Sequence, residues 1–372
     1  MKNKKKLVPK IIMMAMSCIV GAVVGILLVK RSDIKGNNGS LGKELFEVII
    51  IVASIYISYF LGIIIHESGH LVMGLLTGYR FVSFRIGSFI LVKQDGRFVI
   101  RRFSLAGTGG QCLMKHDKVE KDEDIPYFWY HSGGGLFNLA SAALLCLVYL
   151  NTSSKYLAIY SMIGMIIYFF MGLINLIPLK KIGLANDGSN IVESWLDPSV
   201  RRSVLNILMV NAEQMQGKTL DSMPEELFEV NSKGVTNASL NIMLLRAARD
   251  LERGDIDTAK AKFKALLEKH GIPDILIKEI RCDLLFCYIM TNEPAEVIDE
   301  LYNDELQKYI KKSGKYALCR HRLMYAYYYI YKQDIANADK EYNLSVEMAK
   351  GYYNPGEARS EMSIIERIKE NH

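Results

Sequence analysis

The chain has 372 residues, half of them hydrophobic, and 46 Lys and Arg against 40 Asp and Glu give a net charge of +6. That length predicts two domains or more. The excess charge lies beside long apolar runs and no nucleic-acid motif is present, so it speaks for membrane orientation and excludes nucleic acid as a partner.

Residues 11–29 carry no charge and follow Lys2, Lys4, Lys5, Lys6 and Lys10. They predict a spanning helix or an uncleaved signal anchor, with a cleaved signal peptide as the alternative that the long run and the lack of a small-residue cleavage site before Lys30 disfavour. A second long apolar helix is expected over 45–78, and third and fourth spans over 136–150 and 156–178. Gly133, Gly134 and Gly135 before the third span predict close approach of its backbone to a neighbour. Fourteen Lys and Arg fall in the N-terminal tail and the segment between spans two and three, against five in the opposite loops. This bias puts both termini in the cytoplasm of a multi-pass protein.

The second span carries the pattern that bears most on function. His66 and His70 are four residues apart, so on a helix of about 3.6 residues per turn they share one face. Two imidazoles so placed can grip one metal ion, usually zinc. Glu67 lies between them, where a carboxylate can take a proton from metal-bound water. Ionisable groups in a spanning helix are costly and mark function. A catalytic zinc needs a third protein ligand. Asp187 fits that need, because Pro178 ends the fourth span and lets the chain fold back.

Between spans two and three, Phe89–Gln94 and Arg97–Phe103 flank Asp95-Gly96, a strong hairpin signal. It reads either as an ordinary surface hairpin or as an edge strand close to the metal that holds an extended peptide by strand addition. Gly107-Thr108-Gly109-Gly110 lacks the Lys of a phosphate loop and reads as a turn. Residues 200–230 read as a polar helical connector. Beyond them Gly254-Asp255-Ile256, Asn292-Glu293-Pro294 and Gln333-Asp334-Ile335 echo one another, at spacings of 38 and then 41 residues. That period predicts stacked helix pairs of tetratricopeptide type, with a plain helical bundle as the alternative. The tyrosines at 325, 327, 328, 329 and 331 read as packing. The six cysteines form no Cys-x-x-Cys pair, which fits free thiols in a reducing compartment.

Three elements together resemble the site-2 protease family of intramembrane zinc metalloproteases: His66-Glu67-Ser68-Gly69-His70, then Gly134-Gly135-Leu136-Phe137-Asn138, then Asn175-Leu176-Ile177-Pro178 leading to Asp187-Gly188. The resemblance covers residues 45–190, with Gly135 where the family usually has proline and a longer stretch, including Lys180 and Lys181, before Asp187. It implies zinc held by His66, His70 and Asp187, Glu67 as base, and Asn138 and Asn175 on the substrate backbone or developing oxyanion. It also implies endopeptidase action on transmembrane or membrane-proximal segments of membrane proteins or peptide precursors.

The expected organisation is a helical membrane core of about four spans with a small β-hairpin insertion, followed by a soluble all-α domain. Residues 1–44 would form the signal anchor and outer loop, 45–190 the metalloprotease core, 191–237 a linker, and 238–372 a cytoplasmic domain that recruits a protein partner. The expected location is the bacterial plasma membrane. Two rivals remain. One is a retired enzyme acting as a membrane adaptor through its C-terminal domain, which the intact Glu67 disfavours. The other is a zinc protease of prenylated-protein type, whose third ligand would be Glu120 or Glu123.

Overall fold

The computed structural model describes residues 41–94, 96–102, 109–117, 119–179, 186–230 and 235–371. The expected span over 11–29, Asp95 and the Lys180-Lys181 pair lie outside them. The chain divides into two compact units, one of residues 1–77 and 128–192, the other of residues 78–127 and 193–372.

Among its described residues the first unit contains three helices long and apolar enough to cross a membrane. They are α1 (Leu41–Leu76), α2 (Phe128–Asn151) and α3 (Lys155–Leu176). Their pattern inverts that of a water-soluble bundle. Tyr56, Phe60, Leu144, Leu147 and Phe169 point outward, whereas Ser54, Ser58, His66, Glu67, His70, His131, Asn138 and Ser161 are buried. An apolar exterior over a polar interior suits a lipid surround, where inward-facing ionisable groups mark function.

Glycines set how close these helices come. A Cβ on Gly69 would stand 2.3 Å from the Gly133 carbonyl oxygen, and one on Gly133 would stand 2.4 Å from that of Gly69. The two backbones are therefore in direct contact, as small residues allow in helix pairs. Gly135 is covered by Leu176, and Gly172 abuts the Gly135 carbonyl. The glycine run does not break α2, which begins at Phe128 rather than near 136. Close interhelical packing outweighs the roughly 1 kcal/mol that each helical glycine costs.

The second unit joins a sheet to a helical array. Strands β1 (Arg80–Ile86), β2 (Phe89–Gln94), β3 (Arg97–Arg102) and β4 (Gly110–Lys115) form an antiparallel sheet in the order β3-β2-β1-β4. The expected hairpin is present, with Gln94 opposite Arg97 and Gly96 at a φ of 79°. Strands β1 and β4 enlarge it to four. After the short α4 (Asp187–Leu196) comes α5 (Pro198–Met215). Val82, Ile90, Val92 and Leu113 of the sheet pack on Ala212 and Met215 of α5. Most of residues 191–237, expected as a linker with a polar helical connector, is helix, and α5 closes the core beneath the sheet. Likewise the hairpin belongs to this unit instead of the 45–190 core.

The array continues through α6 (Asn237–Arg253), α7 (Ile256–Leu267), α8 (Asp274–Met290), α9 (Ala295–Leu301), α10 (Asp304–Ser313), α11 (Leu318–Ala326), α12 (Ile335–Lys350) and α13 (Pro355–Asn371). The echoed sequence positions are its helix-to-helix turns. Gly254, Asn292 and Gln333 each take a left-handed backbone, at φ of 84°, 51° and 52°. Asp255 and Asp334 then cap the next helix through Thr258 N–H and Asn337 N–H. Phe263, Leu285, Phe286, Leu323 and Ile365 lie in one continuous core. The tyrosine row packs as expected: Tyr325 stacks on Tyr329, and Tyr327 lies against Tyr302.

Candidate metal centre

The centre is assembled within the first unit from α1, α2 and the start of α4. His66 and His70 project from the same face of α1, one turn apart. Asp187 enters from a different part of the chain, and its placement depends on how the chain turns after α3.

The α3 helix ends at Leu176, ahead of Pro178, which cannot donate to a continuing helix. Asn186 ties this end to α4. Its Nδ2 donates to the carbonyls of Ile174 and Ile177, each at 2.7 Å. Its Oδ1 accepts from Leu179 N–H and Ser189 N–H, at 3.2 and 3.1 Å. One side chain thus satisfies carbonyls at the end of one helix and an amide at the start of the next. Gly188 completes the junction, since a Cβ there would stand 2.2 Å from the Leu176 carbonyl oxygen. Asn186-Asp187-Gly188 is therefore a clamp that aims Asp187, and both neighbours serve that purpose.

His66 Nε2 and His70 Nε2 each stand 3.3 Å from Asp187 Oδ2, and 3.1 Å from one another. Around a tetrahedral zinc with bonds of about 2.05 Å, neighbouring donors stand about 3.3 Å apart. The triangle of two nitrogens and one oxygen fits such an ion without rearrangement. Among the described residues these three form the one group of His, Cys, Asp and Glu able to hold a metal. Glu67, Glu120 and Glu123 are not in it.

The surroundings aim the imidazoles. His70 Nδ1–H donates to the Tyr130 carbonyl at 2.7 Å, which leaves the Nε2 lone pair for the centre. His66 Nδ1 stands 3.4 Å from the Asn138 amide nitrogen, while the buried Asn138 Oδ1 has no partner among the described residues. Turning the amide end for end lets Oδ1 accept from His66 Nδ1–H and satisfies both groups. Asn138 is then a support for His66, a role different from the expected contact with substrate. Asn175, expected on the substrate backbone or developing oxyanion, donates its Nδ2 to Met171 O, four residues back in α3, at 2.9 Å.

Gly134 leaves room for the centre. A Cβ there would lie 2.6 Å from both His66 Cε1 and His70 Nε2. Glu67 is 8 % exposed, on the same helical turn as the histidines. His131, which the sequence reading passed over, is also buried beside this group, and its Nε2 lacks a partner among the described residues. Its signal was its position in the glycine-rich start of α2, three residues before Gly134 and seven before Asn138.

No protein-family model matches the chain, and neither a curated protein nor a solved structure is detectably similar to it.

Proposed function

We propose that the protein is an intramembrane zinc metalloendopeptidase that hydrolyses peptide bonds in or near transmembrane segments. The observation that carries this reading is the triangle of His66, His70 and Asp187, with edges of 3.1 to 3.3 Å, its two histidines on a helix long and apolar enough to cross a membrane. Zinc, when bound by these residues, polarises the scissile carbonyl and lowers the pKa of water at the site. Glu67, between the two histidines, takes the proton from the attacking water and passes it to the leaving amine nitrogen. Tyr130 and Asn138 hold the imidazoles in the tautomer and orientation that ligation requires.

The exposed outer faces of α1 to α3 support a substrate that arrives through the bilayer. Unwinding is part of the reading, because helical backbone buries its carbonyls in its own hydrogen bonds. By charge bias, the N-terminus and the C-terminal helical array face the cytoplasm, with the array as a partner-binding module. Cleavage of a model membrane substrate by wild type and Glu67→Gln tests the activity. The Gln variant should retain zinc and the fold and lose cleavage; turnover near the wild-type rate would refute the reading.

A further inference from the structure

His131 is a buried histidine to which neither metal binding nor proton transfer assigns a role. It is 6 % exposed and its Nε2 has no hydrogen-bond partner among the described residues. Leaving such a group unsatisfied costs about 1–3 kcal/mol, so its retention in an apolar helix calls for a reason. It is not one of the three grouped ligands. On α2 it precedes Gly134 by three residues and Asn138 by seven, so all three share one face of the helix. That face is the one turned toward the His66 and His70 rings, as the contacts of Gly134 and Asn138 show. The backbone carbonyl of the adjacent Tyr130 is already taken by His70 Nδ1–H.

We infer that His131 is a further catalytic residue, donating from Nε2–H to the scissile carbonyl oxygen as that oxygen gains negative charge. The inference rests on the proposed peptide hydrolysis. Water adds to the carbonyl carbon, and Glu67 takes a water proton. The carbonyl π pair moves to oxygen, where His131 stabilises it without giving up its proton. The pair then returns, the C–N bond breaks, and Glu67 delivers its proton to the departing nitrogen. A preorganised donor in a water-poor site is worth far more than in water, because no solvent must reorganise as the charge appears.

The test uses the full-length, zinc-loaded protein in detergent, with wild type, His131→Leu, His131→Gln and Glu67→Gln. One probe is an apolar phosphinic peptide, whose tetrahedral anion imitates the charged oxygen; a second is the corresponding uncharged ketomethylene peptide. His131→Leu should keep the wild-type zinc content and its affinity for the ketomethylene peptide. It should bind the phosphinic peptide about 10²–10³-fold more weakly, and kcat for the model substrate should fall by a similar factor with KM little changed. His131→Gln, which keeps an N–H donor, should recover at least tenfold over the Leu variant. Phosphinate binding within threefold of wild type in His131→Leu would overturn the inference. So would loss of zinc from that variant, equal weakening of both peptides, no recovery in the Gln variant, or a wild type that does not take the phosphinate. Failure of the hydrolytic reading itself shows elsewhere, as unchanged cleavage by Glu67→Gln.

Discussion

Gly134 shows at the scale of a single residue how an absent side chain builds a site. A methyl group there would overlap His66 Cε1 and His70 Nε2 at 2.6 Å, a contact that neither a packed helix backbone nor ligand rings can relieve. Gly134→Ala should therefore lose most of its zinc while the membrane helices persist. Metal analysis with circular dichroism checks this, and full zinc occupancy in the Ala variant would contradict it. Asp187 was legible in the sequence because a third ligand had to come from another part of the chain, and Pro178 ends the preceding span where the chain can fold back. Asn186 was not, because Asn-Asp-Gly has the composition of an ordinary solvent turn; its five side-chain hydrogen bonds appear only once α3 and α4 are placed. Tyr130 was not legible for a simpler reason. It acts through its backbone carbonyl, which every residue possesses.

At the scale of elements, the helix turns of the C-terminal array carry strain that substitution can relieve. Gln333 holds a φ of 52°, where a side chain with a Cβ costs roughly 1 kcal/mol and glycine does not. Gln333→Gly should raise stability by about 0.5–1 kcal/mol, offset in part by the entropy of glycine in the unfolded chain. Denaturant unfolding measures it, and a loss of stability would show that the turn is held by the glutamine side chain. The turns were readable because each repeats a local signal. Strands β1 and β4 were not, since Arg80 pairs with Lys115 across an intervening hairpin, and such a distant pairing leaves no short-range trace. Helix α5 was read as a connector because Arg201, Arg202, Asn206, Glu213 and Gln214 interrupt its apolar residues. Its apolar residues Val200, Leu205, Val210, Ala212 and Met215 are nevertheless buried. The start of α2 was misread because glycines that weaken an isolated helix are what allow this one to touch α1.

At the scale of the molecule, the two units solve the cost of buried charge in different ways. The membrane unit concentrates its buried ionisable groups at the centre. The other unit buries Arg322 between two carboxylates, with Asp283 at 2.6 Å and Glu361 at 3.3 Å, over the Phe286 ring. Burial pushes the Glu361 carboxyl up to about 7, with the neighbouring carboxylates of Asp283 and Glu357 adding to the rise against the pull of Arg322 and Arg320. Because the folded pKa lies above the unfolded value near 4.5, the folded state holds a proton that the unfolded chain releases. The contribution is full below about pH 4.5 and is lost as pH rises toward 7. The thermal midpoint of this unit should thus fall as pH rises through that window, and Glu361→Gln should flatten the fall. Identical pH profiles for the two proteins would contradict the assignment.

The central claim is that His66, His70 and Asp187 together hold one zinc ion in the membrane unit. X-ray absorption at the zinc edge on the purified full-length protein tests it most directly, with His66→Ala and Asp187→Ala measured alongside. The account predicts about one zinc per chain in wild type, with two imidazole nitrogens and a carboxylate oxygen at about 2.0–2.2 Å, and little or no bound zinc in either variant. A wild type without stoichiometric zinc, or variants that bind it as wild type does, would contradict it.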